Sequence, residues 1–424
     1  MWRLALRNLT RNRWRTLLTA GGVAVAVFLL TWTNGLMGAM EAAMVRGATS
    51  VETGQVQVHH PDWVERPGLY DHFERSDDLL ARLDAVDGVA GVSARIHVYG
   101  LVGNEDTSQV ASITGVDPAR EAEATLAAES VIEGRWLSDT PADLPGPREA
   151  VLGVRLAELL DAEVGDSLVL FVNAADGSLG NDALTIVGLA RTGSAAVDRA
   201  GVYMHYDDAA WASALEGRAH DLTIAVADLA QVDVVADRVA AAVAEWDAAQ
   251  DEPLGLVVRS WDEILPELAQ MLDMSRGSIW LTYLIIFAIA ALGLINTQRM
   301  GALERRREFG VLLSIGMRPW RLGSLVLAET VVVAGLGAIL GGIAGGGANL
   351  WYARNGFDMA AFASSDVDFS VMGIAFTETI AFPWAWDDVL VPMLAVLAMA
   401  ALCGLVPARY AVRLNAVSAV AGRS

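Results

Sequence analysis

Four stretches of the chain stay apolar long enough to cross a bilayer. They cover residues 17–40, 277–297, 322–346 and 388–406. A helix needs roughly 20 mostly apolar residues to span ~30 Å of hydrocarbon. Between the first two the pattern becomes that of a folded domain. Residues 54–60 (GQVQVHH) alternate polar and apolar, as a strand with one solvated face does. Further strand-like runs fall at 95–102, 109–115, 167–172, 184–190, 201–205, 222–226 and 255–258. Helical runs fall at 77–86, 154–160 and 229–246. This order predicts a mixed α+β domain over 41–276. Its strand-rich middle, about 116–212, reads as a lobe inserted into a core made from both flanks. Ser260 and Glu263 have capping-box spacing. They predict a helix from Trp261 through Leu272 toward the second span, with Pro266 as a bend.

Charge orients these elements. Arg3, Arg7, Arg11, Arg13 and Arg15 precede the first span with no acid among them. Arg299, Arg305, Arg306, Arg307, Arg318 and Arg321 lie between the second and third, and Arg409, Arg413 and Arg423 follow the fourth. The positive-inside rule places these three segments in the cytoplasm. Residues 41–276 and the loop 347–387 then lie outside. Residues 41–276 hold 15 arginines against 42 acids. That excess reads as a solvated acidic surface that keeps the outer domain soluble. Residues 1–16, with Trp2, Leu4, Leu6, Leu9 and Trp14 among five arginines, read as a cytoplasmic amphipathic helix on the inner membrane face. The first span follows as a retained anchor.

Composition narrows the chemistry. The chain is 54% hydrophobic over 424 residues, too apolar for an ordinary soluble protein. All thirty basic residues are arginine, so the P-loop lysine that cradles phosphate is absent. An ATP-driven motor must therefore be another polypeptide. Cys403 is the one cysteine, inside the fourth span, and no intrachain disulfide can form. His59 and His60 are neighbours on a strand and point to opposite faces, which argues against a metal shared by that pair. No HExxH, nucleophile elbow or cysteine-pair pattern occurs, so catalysis by this chain is not expected.

Two places invite a functional reading. Within 298–321, the segment 304–317 (ERRREFGVLLSIGM) puts Phe309, Leu312, Leu313 and Gly316 on one helical stripe. A short amphipathic helix there could seat its apolar face in a groove of a soluble motor, with charges setting register. A plain basic loop between spans fits the same residues. Glu329 lies within the third span. Its nearness to Arg318 and Arg321 predicts an anchoring ion pair. The glycines of that span, Gly341, Gly342 and Gly345–Gly347, predict close helix approach.

The run from Glu304, ERRREFGVLLSIGMRPWRLGSLVLAETVVVAGLGAILGG, resembles the signature of FtsX-like ABC permeases, the group of MacB and the lipoprotein-releasing permeases. The matching positions are Arg306, Arg307, Glu308, Phe309, Gly310, Gly316, Met317, Glu329, Gly335, Gly337, Gly341 and Gly342. Residues 5–27 resemble the family start and 406–420 (VPARYAVRLNAVSAV) its end, with Tyr410 where a basic residue is usual and Ala416 where a proline is usual. Residues 53–63, 131–137 and 149–170 are similar to the outer domain of the lipoprotein-releasing branch.

The resemblance implies an α-helical membrane protein of the bacterial inner membrane. It would have four transmembrane helices plus an α+β periplasmic domain, a porter-like core with an inserted strand-rich lobe. It also implies a non-catalytic subunit working by mechanotransmission, paired with a second permease, identical or paralogous, over a cytoplasmic ABC ATPase that binds the ATP and magnesium. Coupling to that ATPase would fall to Glu304, Arg305, Arg306, Arg307, Glu308, Phe309, Gly310, Leu313, Gly316 and Met317. Helix packing would fall to Glu329, Gly337, Gly341 and Gly342. Lipoprotein cargo, a periplasmic carrier and membrane lipids are the implied contacts, and nucleic acid is not. A MacB-like split exporter of peptides or small molecules, and an FtsX-like scaffold regulating cell-wall hydrolases, fit the same resemblance. The tail 407–424 would be cytoplasmic.

Overall fold

A computed structural model describes residues 13–63, 68–142, 146–358, 370–371, 374–375 and 379–414. The expected amphipathic helix of residues 1–16 therefore falls mostly outside the described residues, as does Ala416. The chain forms two compact units. One holds Met1–Glu41, Leu272–Ser364 and Glu378–Ser424; the other holds Ala42–Met271 and Ser365–Thr377.

The first unit is built on four long helices, Arg13–Ala48, Pro266–Glu304, Pro319–Asn355 and Asp387–Val412. Each contains one of the apolar windows and outruns it. At 1.5 Å per residue the 39-residue second helix is about 58 Å long, well beyond the ~30 Å of a hydrocarbon core. The third helix is the central one: half of its most apolar window is buried, against 6% for the second helix. Its small residues explain this. Gly337, Gly341 and Gly345 recur every fourth position and share one face. Added Cβ atoms there would overlap the Ala20 carbonyl and Val23, the Ala24 carbonyl and Val27, and Thr31 of the first helix, respectively. Gly342 presents the adjoining face to Met393 of the fourth helix. Val23, Val27, Leu30, Ala334, Ala338, Val396 and Ala400 fill the core between them.

Two ion pairs fasten the first helix to the second. Arg276 meets Glu41 at one end, with its Nε 3.1 Å from the carboxylate. Arg15 meets Glu304 at 3.2 Å at the other. Between them Tyr283 donates to Asn34 Oδ1 at 2.5 Å.

The second unit carries a sheet of ten strands: β1 (Val56–His59), β2 (Val89–Gly103), β3 (Ser108–Val116), β4 (Val131–Gly134), β5 (Arg148–Gly153), β6 (Ser167–Asn173), β7 (Leu179–Ala190), β8 (Gly201–His205), β9 (Asp221–Val226) and β10 (Val257–Ser260). Their spatial order is β10-β1-β9-β2-β3-β8-β5-β7-β4, with β6 bridging β2 and β7. Two cores share this sheet. Flank residues build one, where helices Asp77–Asp84 and Val232–Ala248 pack Leu79, Leu83, Val235 and Val239 on Val56, Val58, Val92 and Ile224. Residues 96–215 build the other, around Ile113, Leu152, Leu156, Leu184 and Val202. The long strand β2 belongs to both, giving Val92 and Ala94 to the first and Ile96 and Val98 to the second.

Three local expectations need correction. The strand at 54–60 is not half-solvated, because all four residues of β1 are buried. Its polar face is covered by the domain itself. Arg95, next to Asp221 in the register, pairs with Glu121 and donates to the carbonyls of Val51 and Glu52. A fully buried ion pair of this kind needs every remaining polar contact satisfied. The capping box does not form either: the Ser260 hydroxyl turns to Asp262, and Ser260 caps no backbone N–H. Finally, Pro266 separates two helices and is no bend within one. Leu265 takes φ −118°, ψ 64°, so the helix from Trp261 stops at Ile264. A residue before proline is pushed out of the α region, and proline suits the first position of the next helix. From Pro266 that next helix runs unbroken to Glu304.

The glycine stripe generates a contrast. Gly341→Leu is expected to destabilise the protein by about 3 kcal/mol or more through overpacking, whereas Gly347→Leu, with nothing within 4 Å of its Cβ, is expected to be neutral. Thermal unfolding of both variants in detergent checks this, and equal midpoints would refute the packing role.

Candidate functional site

The residues between the second and third spans form a compact node. The second helix ends at Glu304, and Arg305 leaves helical geometry at φ −96°, ψ 12°. A nine-residue helix, Arg306–Ser314, follows. It ends where Gly316 takes φ +96°, a left-handed conformation that glycine adopts without steric cost. The Met317 N–H donates to the Leu312 carbonyl at 3.0 Å, and the Gly316 N–H to that of Leu313 at 3.1 Å. These two bonds are the Schellman closure of a helix end. Pro319 then opens the third span at its first position.

Arg305 is the centre of this node. Its Nη1 sits 3.0 and 2.8 Å from the two carboxylate oxygens of Glu329. Its Nε donates to Glu308 at 3.1 Å, and its guanidinium lies 5.2 Å from the Phe309 ring centroid. One side chain thus links the end of the second span, the short helix and the third span. Glu329 does form an anchoring pair, but with Arg305. Arg318 and Arg321 are exposed, and Arg321 lies over the Trp320 ring. Sequence distance misled here, because the turn at Arg305 folds the chain back toward Glu329.

The apolar stripe faces inward. Phe309 is 1% exposed and packs with Ala302, Leu322, Val326 and Ala411, while Leu312, Leu313 and Met317 lie against the same cluster. The chain's own spans fill the groove that this stripe was expected to find in a partner. Gly310 is buried, whereas Gly316, the left-handed residue that closes the helix, is exposed beside Ile315. What the helix leaves exposed is Arg307, Val311, Ser314 and Ile315, spaced i, i+4, i+7, i+8. Val311 and Ile315 are 48% and 75% exposed, and Trp320 nearby is 60% exposed. These three apolar side chains were missed at the sequence level. Both faces of the helix carry apolar residues, and periodicity alone does not say which one the chain keeps. Arg306 and Glu308 are half-buried, and Glu304 is occupied by Arg15.

Four membrane-length helices, a basic helix pinned between two of them and a large α+β domain make a membrane-anchored subunit, and the comparisons with known proteins give its class. Residues 16–242 match the MacB-like periplasmic core domain, and residues 280–416 match the FtsX-like permease C-terminal domain. The chain belongs to this FtsX, MacB and LolC family of permeases. It is an inner-membrane protein with a periplasmic domain, and its family implies an ATPase partner and paired subunits. The lipoprotein-releasing system transmembrane protein LolC of Neisseria meningitidis serogroup B is 21% identical over 352 residues, 80% of this chain and 79% of that one. LolC of Xylella fastidiosa (strain Temecula1) is 22% identical over 347 residues, 78% of each chain. Among solved structures, the periplasmic region of MacB from Actinobacillus actinomycetemcomitans covers 53% of this chain and 95% of its own, at 12% identity and a TM-score of 0.37. The extracellular domain of the transporter YknZ covers 49% and 100%, at 14% identity and a TM-score of 0.35.

Arg305→Ala removes the charge paired with a buried carboxylate and is expected to cost about 3 kcal/mol or more. Arg305→Met combined with Glu329→Leu removes both charges and should recover most of that loss. Unfolding of the three proteins in detergent measures the difference; additive losses in the double variant would contradict the pairing.

Proposed function

We propose that this chain is the permease of a lipoprotein-releasing machine, which extracts acylated proteins from the inner membrane and hands them to a periplasmic carrier. The carrying observation is the similarity to LolC along about four fifths of both chains. A match of that length, longer than any single span or the outer domain, favours a shared task over a shared membrane anchor alone.

In this reading the arginine-rich segments lie in the cytoplasm, as the positive-inside rule prefers. The exposed face of the short helix, Arg307, Val311 and Ile315, docks a separate ABC ATPase that binds ATP and magnesium. The absence of lysine from these residues supports a separate motor, since a P-loop needs one. The chain itself does no chemistry. Closure of the ATPases moves the short helix, and Arg305 passes that movement to the second and third spans. The second-span helix continues without a break from Pro266, within the outer domain's own segment. That continuity is the covalent path from the node to the periplasmic domain. A second permease, identical or paralogous, completes the pair.

Affinity purification of the tagged chain from its native membrane in mild detergent, followed by mass spectrometry, tests this. A P-loop ATPase and acylated lipoproteins are expected to co-purify. An ATPase with a periplasmic adaptor and no lipoprotein would instead mean a MacB-like exporter, and no ATPase at all would sink the transport reading. Val311→Asp with Ile315→Asp is expected to cut ATPase recovery about tenfold or more, as loss of central apolar contacts does.

A further inference from the structure

Five of the six histidines, His59, His60, His72, His97 and His220, belong to one region of the outer domain. Most have ring nitrogens already engaged. His59 Nδ1 bonds the His60 carbonyl at 2.8 Å, and His97 Nε2 bonds Asp221 at 2.6 Å. His220 accepts from the His97 N–H at 3.0 Å through Nδ1 and meets the Leu69 carbonyl at 3.1 Å through Nε2. Burial, with His97 beside it, holds His220 neutral down to about 4. His72 Nε2 is 3.0 Å from Arg218.

His60 differs. Its Nδ1 has only a long contact of 3.4 Å from the Asp62 N–H, with the Asp62 carboxylate 4.0 Å away. One donor atom from each of His60, Asp62 and Asp71 lies within 4.8 Å of the others. We infer that these three residues bind one divalent transition-metal ion of the zinc class.

The donor set carries this assignment. Two carboxylates neutralise a divalent charge, and an imidazole nitrogen selects a borderline ion over magnesium or calcium, which favour all-oxygen shells. Three protein ligands leave one tetrahedral position for water. Donors about 2.1 Å from zinc sit closer together than these do now, so the site must contract by about an ångström. The side chains have that freedom: His60 is 34% exposed and Asp62 is 79% exposed. The backbone beneath them is anchored. His60 directly follows His59, which pairs with strands on both sides. A turn from the His60 carbonyl to the Trp63 N–H, 3.1 Å, carries Asp62. The Trp63 ring stacks on His220 at 4.7 Å. Asp71 donates its N–H to Gly68 at 3.1 Å and lies two residues before Phe73, which pairs with Ala219. The ion would thus tie the end of β1 to the start of the next paired segment.

The test uses the full chain in detergent without a polyhistidine tag, stripped with chelator and titrated with zinc chloride. Calorimetry and metal analysis after dialysis should give one zinc per chain, undiminished by excess magnesium or calcium. Zinc should also raise the thermal midpoint by a few degrees. His60→Ala and the near-isosteric Asp71→Asn are each expected to weaken zinc binding about tenfold or more and to abolish the thermal shift. Asp62→Asn, on an exposed side chain, serves as a third variant that cannot unfold the domain. Metal-free midpoints equal to wild type exclude misfolding as the cause. No zinc retained by the wild type, or binding unchanged across all three variants, would overturn the site. None of these readouts depends on the transport reading.

Discussion

A hydrocarbon layer of ~30 Å tolerates charge only at its borders, and the spans of this protein are organised by that constraint. Arg15 and Glu41 lie 26 residues apart on the first helix, and Arg276 and Glu304 lie 28 residues apart on the second. At 1.5 Å per residue each spacing is about 40 Å, so the two cross-helix ion pairs bracket a bilayer core with some margin. Charge pairs placed there fix the helices in antiparallel register without entering hydrocarbon. Inside the bundle, close approach of the helices falls to glycines, with Gly337 and Gly341 against the first helix and Gly342 against the fourth.

Glu329 is the exception that shows how the node works. It is buried on the third helix and so needs a partner. The chain supplies Arg305 by breaking the second helix one residue earlier. The same arginine then holds Glu308 and covers Phe309. The short helix is therefore fixed to the second and third spans by Arg305, and to those two and the fourth by one apolar cluster. Its movement relative to them would require breaking a buried charge pair. The stiff route runs from the exposed face of the short helix, through Arg305, into the second and third spans.

Much of this was legible in the residues. The four apolar windows each lie inside an observed helix, and the runs at 154–160 and 201–205 appear as Val154–Leu160 and Gly201–His205. What failed to show was decided by contacts distant in sequence. Gln57 and His59 look solvated by alternation, yet the domain folds over that face of the sheet. The strand Arg148–Gly153 was not anticipated at all; its short run joins β8 and β7, and pairing with those strands makes it one. The stripe at Phe309 and Leu313 was correct as a stripe, but sequence could not say that the chain's own spans claim it. Gly316 and Leu265 were misread for a local reason: a left-handed glycine and a residue before proline end helices that periodicity alone would extend.

Coupling of the short helix to the spans through Arg305 is the step on which the proposed transport rests. Its most direct measurement is reconstitution of the permease with its ATPase in lipid nanodiscs. ATP hydrolysis and transfer of an acylated lipoprotein to a soluble carrier would be followed together, for the wild type and for Arg305→Met with Glu329→Leu. The neutral pair is expected to fold, bind the ATPase and support hydrolysis while transfer falls about tenfold or more, since a single coupling contact is worth one to a few kcal/mol. Transfer per ATP equal to wild type would contradict it.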